Sequence, residues 1–117
     1  MLTESRSFSA AVSRWHTDHD AHAALDALDA HQRRFPRGWL SLESTLLRAE
    51  ILLRLGRERE VLGLLDAVSL DGLPRGRELQ TVRGELRIKL GRCADGRRDL
   101  DDVLAKDPND GLGRRAA

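Results

Sequence analysis

Tyrosine is absent and the remaining aromatics make up only 3% of residues, so leucine and alanine must fill any core this chain builds. Both are strong helix formers, whereas the β-branched and aromatic residues that mark strands are few. The composition therefore points to an all-α protein. A single cysteine, Cys93, excludes an intrachain disulfide, and its setting predicts a small packed side chain rather than a redox centre. Three prolines among residues that are 40% hydrophobic and 33% charged exclude a collagen-like or disordered chain. No run approaches the ~18 consecutive apolar residues of a membrane span. The opening MLTESRSFSA lacks the charged-then-apolar order of a signal peptide. A complete chain of this kind is expected to be cytoplasmic, and an excised domain to belong to a periplasmic or other extracytoplasmic protein. Net charge is also missing: 20 basic against 19 acidic residues leave +1, which gives no long-range field to attract nucleic acid or an anionic membrane.

What is present is helical periodicity, strongest from Leu46 to Val68. Leu42, Leu46, Ala49 and Leu53 form one stripe of a helix over about Ser41 to Leu55, and Leu40, Leu47, Ile51 and Leu55 form a second beside it. A helix apolar over so much of its circumference needs cover on more than one side, so it is expected to be central. Gly56 stops it, and Val61, Leu65 and Val68 give the returning helix one apolar face. A short connection between two such helices predicts an antiparallel αα-hairpin.

The rest of the chain repeats this plan. Leu28-Asp29, Leu65-Asp66 and Leu100-Asp101 recur at intervals of 37 and 35 residues, and Pro36, Pro74 and Pro108 follow them in phase. Leu55-Gly56-Arg57 and Leu90-Gly91-Arg92 are 35 apart. Several markers in one phase predict three helix-turn-helix repeats over about 5–36, 40–74 and 77–108, with a tail over 109–117, in a single domain. In the first repeat Phe8, Val12 and Trp15 supply a thin stripe. Thr17, Asp18 and Asp20 are N-cap candidates for a helix whose Ala24, Leu25 and Leu28 face inward. In the third, Leu79, Val82, Leu86 and Leu90 share one helix face and Leu100, Val103 and Leu104 another. With no full capping helix after Pro108, that last face is expected to be partly uncovered and available for self-association.

These residues resemble the tetratricopeptide repeat, a 34-residue helical hairpin. Gly91 and Pro108 have that family's separation of 17, and Gly84 and Gly96 then fall on its two small positions, one per helix. Ala49 and Ala24 take small positions in the second and first repeats. Val61 is bulky where the family has a small residue, Arg87 replaces an aromatic, and His19 replaces the turn glycine. The phrase AALDALDAHQRRFPRGWL with LLRAEILLRLG is also similar to repeats of bacterial cell-envelope proteins of this class. The resemblance implies three tandem antiparallel hairpins in a short right-handed α-solenoid, whose first helices line a concave groove. It places Glu43, Leu46, Glu50, Leu53 and Arg54 in that groove, with Glu78, Thr81, Glu85, Ile88 and Lys89 one repeat later and Arg6, Ser9, Ser13, His16 and Thr17 one repeat earlier.

Carboxylates beside aliphatic positions suit a peptide or partner protein carrying basic and apolar residues. The bland alternative is that Glu50 with Arg54, and Glu85 with Lys89, are ordinary i, i+4 pairs on solvated faces. His16, His19 and His22 straddle a predicted turn and make no metal site. Arg33, Arg34 and Arg37 flank Pro36 as solvated helix ends. No phosphate loop, Ser/His/Asp arrangement or paired carboxylate in an apolar setting appears, so neither an enzyme nor a cofactor is expected. The expectation is a non-catalytic protein–protein interaction module, with the alternative of a structural or oligomerisation tail of a larger bacterial regulatory or envelope protein.

Overall fold

The computed structural model describes residues 3–106. Among them are six helices and no strand: α1 (Glu4–His16), α2 (Ala21–Arg34), α3 (Ser41–Arg54), α4 (Glu58–Asp66), α5 (Gly76–Lys89) and α6 (Cys93–Lys106). The all-α expectation holds. No helix among the described residues is long and apolar enough to cross a membrane. The chain forms two compact units, Met1–Val61 and Leu62–Ala117, with the boundary inside α4. The predicted Pro108 terminator and the tail lie outside the described residues.

In the first unit Thr3 caps α1, its hydroxyl accepting from the Arg6 amide at 3.2 Å. The predicted stripe of Phe8, Val12 and Trp15 is only half-buried; the buried line is Glu4, Ser7 and Ala11. The chain then turns through His19 at φ +53°, a left-handed residue where the repeat pattern has glycine. Of the three cap candidates Asp20 caps α2, accepting from the Ala23 amide at 3.0 Å. α2 buries Ala24, Leu25 and Leu28 as predicted, and also His31. α3 packs against both α1 and α2, which makes it the central helix of this unit. It buries Leu47, Ala49, Ile51 and Leu52, while Arg48 reaches Asp29 on α2 at 2.7 Å. Gly56 at φ +74° ends it: the Arg57 amide donates to the Leu52 carbonyl at 2.9 Å and the Gly56 amide to that of Leu53 at 3.1 Å. This is a Schellman cap.

In the second unit α4 buries Leu62 and Leu65 but ends at Asp66, so Val68, expected on this helix, lies beyond its end and is half-buried. α5 packs on α6. Between them Gly91 repeats the cap of Gly56, with the Arg92 amide donating to the Arg87 carbonyl at 2.6 Å and the Gly91 amide to that of Ile88 at 3.2 Å. Gly84 and Gly96 meet at the crossing: a Cβ on Gly96 would stand 2.5 Å from the Gly84 carbonyl oxygen and 2.6 Å from Ile88 Cγ1. Val103 is buried, whereas Leu100 and Leu104 are half-buried. The expectation for Cys93 is corrected: it is exposed. It is the first residue of α6, whose buried positions start only at Gly96, so the thiol precedes the α5 contact and donates to the Ile88 carbonyl at 3.8 Å.

Candidate interaction surface

In the first unit α1 and α3 stand side by side, and this brings two of the predicted groove residues together. His16 Nε2 is 3.8 Å from Glu50 Oε2, and the neighbouring Trp15 Nε1–H donates to the same oxygen at 2.6 Å. The Glu50 carboxylate is thus occupied across the helix pair, in place of the i, i+4 pair with Arg54 that the sequence allows. Its side chain remains 41% exposed. Glu43, Leu53 and Arg54 are exposed on α3, and Arg6, Ser9 and Ser13 on α1. Leu46 is half-buried. In the second unit Glu85, Ile88 and Lys89 are exposed on α5, and Glu78 accepts from Arg75 Nε at 2.9 Å. Thr81 is fully buried and its hydroxyl donates to the Arg77 carbonyl at 2.9 Å, so it offers a ligand nothing.

Two polar clusters escape a reading based on apolar stripes. In the first unit, Glu4 accepts from the Trp39 and Leu40 amides at 3.1 and 2.9 Å and lies 3.6 Å from His31 Nε2. His31 Nδ1 is 2.9 Å from Ser7 Oγ. The residue types are those of a nucleophile relay, but Glu4, Ser7 and His31 are 9%, 7% and 2% exposed. A substrate carbonyl has no approach to Ser7, and the cluster instead binds α1 and α2 to the start of α3.

In the second unit Arg87 bridges two carboxylates. It donates to Asp66 at 2.7 Å and to Asp99 at 2.7 Å, and Arg83 grips Asp99 at 2.6 and 3.0 Å. An inward arginine requires an inward acid, so Arg87 was itself the signal for Asp99. Partial burial works against the Asp66 charge, but the hydrogen bonds from Arg87 and Arg92 outweigh it and hold its carboxyl below the usual carboxylate range. Gln80 and then Lys106 do the same for Asp102. A hollow of about 530 Å³ lies beside this cluster, lined in part by Leu70, Leu73, Arg75, Arg77 and Lys106. Its charges are matched from within: Lys106 meets Asp102 at 3.0 Å and Asp71 at 3.4 Å.

Among the described residues no three His, Cys, Asp or Glu side chains are grouped to hold a metal ion. Comparison with protein-family models, curated proteins and solved structures finds no match in any of the three.

Proposed function

We propose that this chain is a tetratricopeptide-like module of three tandem hairpins wound as a short right-handed solenoid, and that it binds a peptide or an extended segment of another protein without catalysing a reaction. The observation that carries the reading is the meeting of His16 on α1 with Glu50 on α3, 3.8 Å apart. The resemblance assigns both to the concave face, where the first helices of successive repeats stand together. The matching Schellman caps at Gly56 and Gly91 and the close approach of Gly84 to Gly96 support the same repeat.

The binding side chains in this reading are Glu43, Glu50, Leu53 and Arg54 on α3, with Glu78, Glu85, Ile88 and Lys89 as their counterparts on α5. Leu53 and Ile88 are 41% and 37% exposed, each beside carboxylates on its own helix. That pairing suits a segment in which basic and apolar residues alternate. An eight-residue peptide alternating Lys and Leu tests it by titration against wild type, Glu43→Lys/Leu53→Asp and Glu85→Lys/Ile88→Asp. Saturable binding that weakens about tenfold or more in each variant, with helicity unchanged, is the expected result. Equal binding by all three proteins removes the groove. Absence of binding together with self-association of the pure protein favours the oligomerisation-tail reading instead.

A further inference from the structure

The segment Arg33-Arg34-Phe35-Pro36-Arg37-Gly38-Trp39 joins α2 to α3 and lies wholly within the first unit. Arg33 and Arg34 occupy the last turn of α2, where a cation complements the helix dipole. That explains neither Arg37, beyond the helix, nor Trp39, which is 73% exposed. Read as solvated helix ends alone, the arginines are detached from the aromatics interleaved with them.

The turn is held in one shape. Its Gly38 amide donates to the Phe35 carbonyl at 3.1 Å, and the Ser41 amide and hydroxyl donate to the Gly38 carbonyl at 3.2 and 2.7 Å. The buried Glu4 carboxylate fixes the Trp39 and Leu40 amides and lies so close to Gly38 that a Cβ there has no room. Elsewhere in this unit Arg14, Arg48 and Arg57 each meet a carboxylate, while Arg6, Arg54 and Arg59 stand singly on helix faces without one among the described residues. Arg33, Arg34 and Arg37 meet none among the described residues.

We infer that this turn is a docking site for a short acidic segment of a partner protein, whose carboxylates meet the three guanidiniums and whose apolar side chain covers the Trp39 indole. Guanidinium forks match carboxylates in geometry as well as charge. Tryptophan and arginine are among the residues most enriched at interface hot spots, and a preformed turn spends little ordering entropy on binding. Single-stranded nucleic acid favours a basic groove with successive stacking platforms, and the turn offers one exposed indole. A lipid surface favours a broad apolar face with a larger basic cluster. The inference is independent of the solenoid reading, because it uses only the α2–α3 turn.

The two tryptophans supply the test. A seven-residue peptide of six Glu around a central Leu is titrated into the protein while both indole N–H signals are followed by NMR. The Trp39 signal is expected to move saturably and the Trp15 signal, held by Glu50, to stay. Trp39→Ala should weaken binding about tenfold, and Arg33→Glu/Arg37→Glu should abolish it. All three residues are exposed, so the fold is expected to survive. Movement of neither signal, or of both alike, overturns the inference. So does a Trp39 response confined to oligothymidylate or to anionic vesicles, or one that appears on raising protein concentration without the peptide.

Discussion

Asp99 on α6 is tied to α5 through two arginines. Its carboxylate is 6% exposed and is held by Arg83 and Arg87, each 15% exposed. An ion pair of this kind adds little over an apolar isostere, but removing one partner strands the others. Asp99→Asn keeps the shape but takes the counter-charge from Arg83 and leaves Arg87 with Asp66 alone, so urea unfolding should report a loss of about 3 kcal/mol; a loss below about 1 kcal/mol would show the arginines finding new partners. Single residues are also where the sequence was least legible. The apolar pattern singles out Phe8, Val12 and Trp15 on α1, whereas the buried line is Glu4, Ser7 and Ala11. Glu4 and Ser7 are tolerated inside because their partners, His31 and the amides of residues 39 and 40, come from 24 to 36 residues away. No local pattern contains that information. Glu50 follows the same rule, since its partner Trp15 is 35 residues distant.

At the scale of elements, what was legible is what local chemistry decides. Gly56 and Gly91 end their helices, Asp20 starts one, and α3 begins at the predicted Ser41. The apolar stripe read for α5 was less well placed: Leu86 is buried but Leu79, Val82 and the C-cap Leu90 are only half so, because Gln80 and Thr81 take inward positions through hydrogen bonds to Asp102 and to the Arg77 carbonyl. Two glycines in helix interiors should respond oppositely to a methyl group. Gly96→Ala places it against the Gly84 backbone, 2.5 Å from the carbonyl oxygen, and the helices must part at a cost of about 1–3 kcal/mol. Gly63→Ala in α4 meets nothing within 4 Å and should gain about 0.5–1 kcal/mol through helix propensity. Melting temperatures of the two variants, one below and one above wild type, check both; two decreases would show that α4 is crowded at Gly63.

For the molecule as a whole, near-neutral charge conceals an uneven use of it. Among the described residues Asp66, Asp95 and Asp102 have carboxyls held below their ordinary range, and these three belong to the second unit. Asp95 owes this first to Arg98 and then to Arg92. A depressed folded-state value means that the stabilisation is complete above about pH 4, the unfolded-state value, and is lost as pH falls through the lower folded-state values. Helicity followed by circular dichroism from pH 6 to pH 2 should therefore drop only below about pH 4. Asp66→Asn should reduce the pH-dependence of urea stability there, and an unchanged slope would locate the acid response in other groups. Fold class was legible at this scale because leucine and alanine with few strand formers leave little but helices. Of the residues the repeat resemblance assigns to a binding face, Leu53 and Ile88 are exposed and Thr81 is buried, a difference that tertiary packing decides and a one-dimensional repeat pattern does not carry.

The exposed Cys93 has a practical bearing on how this protein behaves in a tube. As the only thiol in the chain and one open to solvent, it has no internal mate, so air oxidation can join it only to another molecule. A covalent pair formed this way would run as a dimer whichever helical faces are sticky. Sizing without a reducing agent would then measure the history of the sample rather than the affinity of its surfaces. The same thiol, capped with a single maleimide dye, gives a label at the first residue of α6 without a mutation.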